Sequence, residues 1–131
     1  NYNNITIVNA ALWSQNKSLT VNDEGLGEWG FLIKEVTGIH ENSIEGTTID
    51  GVLESSGFPE IDILKLDIEG SEVELLTENY EHWLSKVKVM IIELHENLRP
   101  GCREVFLKAT KPYDFKYSAS GENEVLISNI L

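Results

Sequence analysis

Two apolar segments that flank a helical pattern constrain the fold of this chain more than any other feature. Ile61–Asp67 and Val87–Leu94 both have the composition of buried β-strands, with few polar interruptions. Between them, Ser71 and Glu74 match a capping box, which predicts a helix over 71–80. The apolar face of that helix consists of Val73, Leu75, Leu76 and Tyr80. Two buried strands joined by a helix are most simply a right-handed βαβ unit, so we expect an α/β fold with a parallel sheet.

The N-terminal third predicts three further strands. The β-branched run Ile5–Val8 predicts a strand that continues towards Trp13. A short strand over Leu19–Val21 and a second over 29–36 predict a hairpin, with polar and glycine residues between them.

The loop of this predicted hairpin contains a glycine-rich pattern. Gly25–Gly30 matches G-x-G-x-x-G, and Asp50 follows at the spacing of a dinucleotide fingerprint. However, an acidic segment rather than a buried strand precedes Gly25, and Glu28 would oppose a bound phosphate. We therefore interpret the pattern as a glycine-rich hairpin loop that binds no phosphate.

The remaining segments predict two helices and a terminal hairpin. Thr48 is a candidate N-cap for a short helix over Ile49–Glu54. Pro100 suits the first turn of a later helix. Tyr113–Ser118 and Val125–Ser128, separated by a glycine, predict an antiparallel hairpin at the end of the chain.

Composition and charge limit the classes of function. The chain has 131 residues, of which 41% are hydrophobic, which suits one domain with a core. Its net charge of −12 disfavours nucleic acids and anionic membrane surfaces as partners. Cys102 is the only cysteine, so an internal disulfide is excluded. With no signal peptide and no apolar run long enough for a membrane helix, we expect a cytoplasmic protein.

Acidic residues and a histidine follow the two apolar strands. Because ligands bind beyond the carboxyl ends of parallel strands, Asp67, Glu93 and His95 are candidates for one site on this rim. Glu72 and Glu74 have a simpler interpretation, since acidic side chains are favourable near a helix N-terminus. Cys102 is interpreted as a packing residue, because no base is apparent near it.

The segment around the first of these strands resembles a known family. Residues 61–72, with the sequence IDILKLDIEGSE, resemble the D-I-E-G-x-E signature of the FkbM-type methyltransferases. Three weaker similarities agree in order and spacing, and they lie in residues 9–12 (NAAL), 47–53 (TTIDGVL) and 91–95 (IIELH). The resemblance extends from about residue 5 to residue 128.

This resemblance implies an α/β class I methyltransferase (Rossmann-like) sheet with strand order 3-2-1-4-5-7-6. The sheet would be mostly parallel with a C-terminal antiparallel hairpin. Strand three would lie in residues 5–13, strand four in 61–67 and strand five in 87–94. Strands one and two have no counterpart here, so we expect them upstream of Asn1, and residues 1–131 would be the C-terminal portion of a single methyltransferase domain.

The resemblance also implies S-adenosylmethionine as cofactor. Its binding residues would be Asn9, Ala10, Ala11, Asp67, Ile68 and Glu69. Asp67, Glu93 and His95 would be catalytic, with His95 as the base and Asp67 or Glu93 orienting it. We expect no metal ligands, and a divalent metal held by these carboxylates is the less favoured variant.

The implied reaction is methylation of a small acceptor, most simply at the oxygen of a small-molecule or sugar hydroxyl. Because strands one and two are missing from residues 1–131, we expect this fragment to be inactive by itself. Two alternatives remain open. One is a metal-dependent hydrolase built on the carboxylates and His95, and the other is a non-catalytic interaction domain that kept the fold. The sequence does not specify the acceptor or the oligomeric state.

Overall fold

The computed structural model of the protein describes residues 3–23, 31–35 and 43–131. The strands are β1 (Ala11–Leu12), β2 (Ser18–Asp23), β3 (Phe31–Glu35), β4 (Ser43–Thr47), β5 (Ile61–Leu66), β6 (Val87–Glu93), β7 (Phe115–Ser120) and β8 (Asn123–Ser128). The helices are α1 (Ile49–Ser56), α2 (Glu72–Leu75), α3 (Glu81–Leu84) and α4 (Cys102–Thr110). The described strands form two four-stranded sheets, in the orders β1-β4-β2-β3 and β5-β6-β8-β7.

The first sheet contains the predicted hairpin and one strand that was not predicted. Strands β2 and β3 pair antiparallel, with Leu19 opposite Glu35, which confirms the hairpin. Strand β4 pairs antiparallel with β2 and parallel with β1. The sequence of β4, Ser-Ile-Glu-Gly-Thr, has little β-strand character, so its strand conformation depends on the partners on both sides. The Gly25–Gly30 pattern lies outside the described residues.

The predicted strand over Ile5–Val8 is wrong. This segment has no strand conformation, and in residues 5–13 only Ala11–Leu12 belongs to a sheet. Ile7 is 87% exposed, and the backbone turns where Ala10 N donates a hydrogen bond to Val8 O at 3.0 Å. A β-branched sequence favours an extended backbone, but a strand also needs a neighbour, and none of the described strands pairs with residues 5–8.

Helix α1 confirms the prediction made from Thr48. The Thr48 hydroxyl oxygen accepts a hydrogen bond from Gly51 N at 3.0 Å, which satisfies one of the free amides of the first turn. The helix ends at Gly57, whose φ of 74° is readily adopted only by glycine. Ile49 and Leu53 form its buried face.

The parallel pairing of β5 and β6 is confirmed. Ile61 lies opposite Val87 and Leu66 lies opposite Ile92, so the two carboxyl ends meet at one edge of the sheet. Strand β6 continues to β8 on its other side, whereas β5 is the first strand of its sheet. Ile63 on β5 is 67% exposed, as expected for a strand with one free edge among the described residues.

The single crossover helix predicted over 71–80 is wrong. The structure has two short helices, α2 and α3, and the chain between them contains Asn79 with a φ of 58°. Asparagine adopts this left-handed conformation more readily than most residues, and its side chain donates a hydrogen bond to Ser14 O at 3.2 Å. The predicted capping box is also not formed, because the Ser71 side chain makes no cap hydrogen bond.

The C-terminal segment confirms a helix and a hairpin. Strands β7 and β8 pair antiparallel around Gly121, which has a φ of 63°. Helix α4 begins at Cys102, after Pro100 rather than around it. The Glu96 carboxylate accepts hydrogen bonds from Gly101 N at 2.7 Å and Arg103 N at 3.0 Å, so it caps the start of this helix. These bonds hold the pKa of Glu96 below its usual value.

The expectation of a mostly parallel sheet is wrong for the described strands. The pairs β1–β4 and β5–β6 are parallel, and the other four pairs are antiparallel. Hairpins always pair antiparallel, and they connect β2 to β3 and β7 to β8. The order β5-β6-β8-β7 does match the order 4-5-7-6 that the resemblance implies for the last four strands.

The main hydrophobic core lies between the second sheet and its helices. Its buried residues are Ile49, Leu66, Leu75, Leu76, Trp83, Leu84, Val87, Met90, Ile92, Phe106, Ala109 and Leu126. A smaller cluster of Ala11, Trp13 and Leu19 supports the first sheet. None of the helices in the described ranges has the length and apolar character needed to cross a membrane.

Candidate functional site

The first half of the site is the tight turn that follows β5. Asp67 is the first residue after the strand, and the Ser71 amide donates a hydrogen bond to Ile68 O at 3.2 Å. Within this turn, Glu69 has a φ of 50° and Gly70 a φ of 95°. A left-handed conformation is unusual for glutamate, so the surrounding structure must hold this turn in place. The turn keeps the Asp67 and Glu69 side chains close to the rim of the sheet.

The second half of the site is the end of β6. Glu93 is the last residue of that strand, and His95 follows two residues later. Because Leu66 and Ile92 are opposite each other in parallel strands, Asp67 and Glu93 come next to each other on the same rim. Both residues were expected at this rim.

His95 connects these two halves. Its Nε2 atom lies 3.5 Å from Glu69 Oε2 and 3.7 Å from both Asp67 Oδ1 and Glu93 Oε1. The residue is 8% exposed, while the three carboxylates are more open to solvent. The structure therefore brings Asp67, Glu93 and His95 together, as expected, and Glu69, which was predicted to bind the cofactor, lies in the same cluster.

The other ring nitrogen of His95 contacts a residue whose interpretation from sequence was incomplete. Glu72 was assigned to favourable charge at a helix N-terminus, but its side chain is 0% exposed. Its Oε1 atom lies 2.7 Å from His95 Nδ1. Glu74, by contrast, is at the surface of α2, where it pairs with Arg99. Neither Asp67 nor Glu93 contacts Nδ1 in this way, so the carboxylate that orients the ring is Glu72.

Opposing effects act on the charge of His95. Burial disfavours the charged imidazolium, whereas the hydrogen bond and negative charge of Glu72 favour it, as do the charges of Glu69 and Glu93. The favourable contributions win, and the pKa of His95 lies above its usual value. A ring with a raised pKa is a stronger proton acceptor than an ordinary histidine.

Cys102 lies behind this pair and confirms its interpretation as a packing residue. The thiol is buried, and its Sγ atom lies 3.8 Å from both Glu72 Oε2 and His95 O. Burial, together with the negative charges of Glu72 and Glu96, raises the pKa of the thiol to about 12. The thiol is therefore protonated at neutral pH and is a poor nucleophile.

The residues expected to bind a cofactor occupy different environments. Ile68 is half-buried against the main core, and Ala11 is buried in the smaller core. Asn9 is exposed and Ala10 is half-buried, just before β1. The role of Asn9, Ala10 and Ala11 in cofactor binding stays a prediction.

The same cluster has the composition of a metal site. Asp67, Glu93 and His95 offer ligand atoms that all lie within 4.8 Å of one another. Two carboxylates and an imidazole are ligands that divalent metals accept. The geometry thus permits a divalent metal at this site, which the sequence favours less than a site without metal.

An apolar groove of about 510 Å³ lies along β5. It extends along the free edge of β5, where Ile63 and Leu66 form one wall, and Leu12, Ile49 and Phe58 contribute to the rest. Its lining contains no member of the His95 cluster, so this groove and the polar cluster occupy different places.

Comparison with known proteins agrees with the motif around Asp67. No curated protein and no solved structure matches the chain at a significant level. Residues 4–115 match the family described as the methyltransferase FkbM domain. This match covers most of the chain and includes β5, β6 and the whole cluster around His95. The chain therefore belongs to the FkbM methyltransferase family.

Proposed function

We propose that this domain transfers a methyl group from S-adenosylmethionine to the hydroxyl oxygen of a small molecule or a sugar. One observation carries the proposal: the buried His95 presents Nε2 to a rim where Asp67, Glu69 and Glu93 gather. The membership of a methyltransferase family supports the reaction type. The acceptor class and the choice of oxygen rest on the chemistry of this cluster.

The residues at the rim fit the cofactor by charge. S-adenosylmethionine, when bound, supplies an electrophilic methyl group on a positively charged sulfur. The carboxylates of Asp67 and Glu69 are the groups that favour a cation at this position. In this proposal Ile68 would pack beside the cofactor, and Asn9, Ala10 and Ala11 would line its adenine end.

The proton of the acceptor also needs a destination. A hydroxyl becomes a good nucleophile when a base removes its proton as the new oxygen–carbon bond forms and the sulfur–carbon bond breaks. His95 Nε2 takes this proton, because Nδ1 is already engaged by Glu72. Glu93 and Asp67 stabilise the imidazolium that results and hold the acceptor in line with the methyl group.

The test compares variants of the full-length protein with the wild type. His95→Ala should lower turnover by roughly 10²–10⁴-fold while the affinity for S-adenosylmethionine stays unchanged, because a general base contributes about that much. Asp67→Asn should weaken both cofactor binding and turnover, and Glu93→Gln should mainly lower turnover. Affinity is measured by calorimetry, and turnover by release of S-adenosylhomocysteine with a panel of alcohols and sugars.

The exposed His82 supplies the matched control. His82→Ala removes a histidine at the surface and should leave both quantities unchanged. Full turnover in Asp67→Asn, Glu93→Gln and His95→Ala would show that the three residues are structural and that the assignment of the site is wrong.

A second candidate function is a metal-dependent hydrolase. The convergence of ligand atoms from Asp67, Glu93 and His95 within 4.8 Å favours it. It predicts a tightly bound divalent metal, hydrolytic activity and no affinity for S-adenosylmethionine. Metal analysis of the purified protein, together with the calorimetric titration, distinguishes the two functions. A non-catalytic interaction domain would show neither activity.

A further inference from the structure

We propose that Glu72 is a positioning residue that fixes the tautomer of His95 and thereby makes Nε2 the proton-accepting atom. The catalytic part of this proposal rests on the proposed function, whereas the tautomer itself does not. Glu72 is the first residue of α2, and its side chain is completely buried against His95. It makes no direct contact with the open rim, so it acts through the imidazole.

The hydrogen-bond geometry determines which nitrogen carries the hydrogen. Glu72 Oε1 lies 2.7 Å from His95 Nδ1, within the range of a strong hydrogen bond. An ionised carboxylate only accepts hydrogen bonds, so Nδ1 must donate. In the neutral ring, Nε2 is then the atom with a free lone pair.

The environment of Nε2 agrees with this assignment. No described group forms a hydrogen bond with this atom, and the nearest carboxylate oxygens, from Glu69, Asp67 and Glu93, lie 3.5–3.7 Å away. These negative charges favour the arrival of a proton at Nε2. Glu72 therefore aims the basic nitrogen at the rim, and the rim carboxylates stabilise the ring once it is charged.

Glu72 is itself held in place. Its second oxygen, Oε2, lies 3.8 Å from the thiol of Cys102, which can donate a weak hydrogen bond. The same thiol lies 3.8 Å from the backbone oxygen of His95. A buried carboxylate is costly unless it is paired, and these contacts restrict the side chain to one arrangement.

A second histidine–carboxylate pair in the chain provides a comparison. His82 Nδ1 lies 2.5 Å from Asp50 Oδ1, so the local contact is of the same kind. The His82 side chain is 61% exposed, however, and water can replace Asp50 as its partner. Burial is what distinguishes the Glu72 pair.

The experiment measures the tautomer directly. Long-range ¹H–¹⁵N spectra of the intact protein, recorded at a pH where the ring is neutral, report which nitrogen of His95 bears hydrogen. We expect hydrogen on Nδ1 in the wild type. Glu72→Gln keeps the shape of the side chain but can donate through its amide, so we expect a shift towards hydrogen on Nε2.

Turnover is measured on the same samples. A ring in the wrong tautomer cannot accept a proton at Nε2, so Glu72→Gln should lower turnover by about 10²-fold or more, with cofactor affinity unchanged. Asp50→Asn is the matched control and should alter neither the His95 tautomer nor turnover. Glu72→Asp keeps the charge with a shorter reach, and it should retain the wild-type tautomer and more turnover than Glu72→Gln.

Two results would overturn the proposal. One is hydrogen on His95 Nε2 in the wild type. The other is a Glu72→Gln variant with wild-type tautomer and wild-type turnover. If the wild type shows no methyl transfer at all, the proposed function fails, but the spectra of wild type and Glu72→Gln still decide whether Glu72 sets the tautomer. If Glu72→Gln does not fold, the proposal is judged from the tautomer of His95 in the wild type and in Glu72→Asp.

Discussion

His95 Nδ1 and Glu72 Oε1 are 2.7 Å apart, and this contact joins the residue beyond β6 to the first residue of α2. The pair thus connects the crossover segment to the end of the strand that it leads into. Arg99 and Glu74 form a second link between the same two regions at the surface. The same contacts therefore stabilise the crossover segment and determine the geometry of the site.

The raised pKa of His95 predicts how stability changes with pH. An unfolded histidine has a pKa of about 6.5, and the folded value is higher, so the folded state binds the proton more tightly. This stabilisation is fully present below about pH 6.5 and is lost as the pH rises through the pKa of His95 in the folded protein. Urea unfolding across that window should show a falling free energy of unfolding. In His95→Gln this contribution to the free energy of unfolding should be missing. The prediction would be contradicted if the free energy of unfolding changed with pH to the same extent in the variant and the wild type.

The same shift predicts the pH dependence of turnover. Protonated His95 cannot accept a proton, so turnover in the intact protein should rise with pH through the folded pKa of His95, which lies above its usual value. Initial rates at saturating cofactor, measured over this range, check the expectation. His82→Ala serves as the control and should keep the wild-type profile. A profile that falls as the pH rises would argue against His95 as the base.

The buried thiol predicts slow chemical modification. Cys102 has a pKa raised to about 12 and no exposed surface, so iodoacetamide should not label the folded protein at neutral pH. In denaturant, where the thiol is exposed, labelling should be rapid and complete. Mass spectrometry of timed samples distinguishes the two states. Rapid labelling without denaturant would show that the packing around Cys102 is looser than described.

Two hydroxyl residues that both precede helices predict different costs on substitution. Thr48→Ala removes the hydrogen bond to Gly51 N and should lower the free energy of unfolding by about 1 kcal/mol. Ser71→Ala removes no cap hydrogen bond, so its cost should be smaller. Chemical denaturation of the two variants provides the comparison. An equal or larger cost for Ser71→Ala would indicate that Ser71 supports α2 in some other way.

Local signals account for the parts of the fold that the sequence predicted. The strands β5 and β6 are mostly apolar segments, and α1 has its own cap and its own terminating glycine. These elements need little information from distant residues. The turn at Gly121 likewise indicates a hairpin by itself.

Contacts with residues distant in the sequence determine the parts of the fold that the sequence did not predict. Ile5–Val8 has a stronger β-strand composition than Ser43–Thr47, yet only the second segment has strand neighbours and forms a strand. The break between α2 and α3 had a weak signal, since Asn79 lies in a polar stretch inside the expected helix. Its hydrogen bond to Ser14 depends on a contact between residues far apart in the sequence.

The site shows the same division. The positions of Asp67, Glu93 and His95 at the ends of two apolar strands predict that they share one rim. The role of Glu72 was missed because an acidic residue at a helix N-terminus already has an explanation. Its burial against His95 results from how α2 packs on the end of β6, and no sequence spacing reports that packing.

The parallel register of β5 and β6 also has a consequence for folding kinetics. Residues far apart in the sequence, such as Ile61 and Val87, must meet before this pair forms, whereas the β7–β8 hairpin closes around a short turn. Pairing of distant segments carries a larger loop-closure entropy and is slower. Because His95 meets Asp67 only when β5 and β6 are in register, we expect the cluster to be completed after the local hairpins have formed.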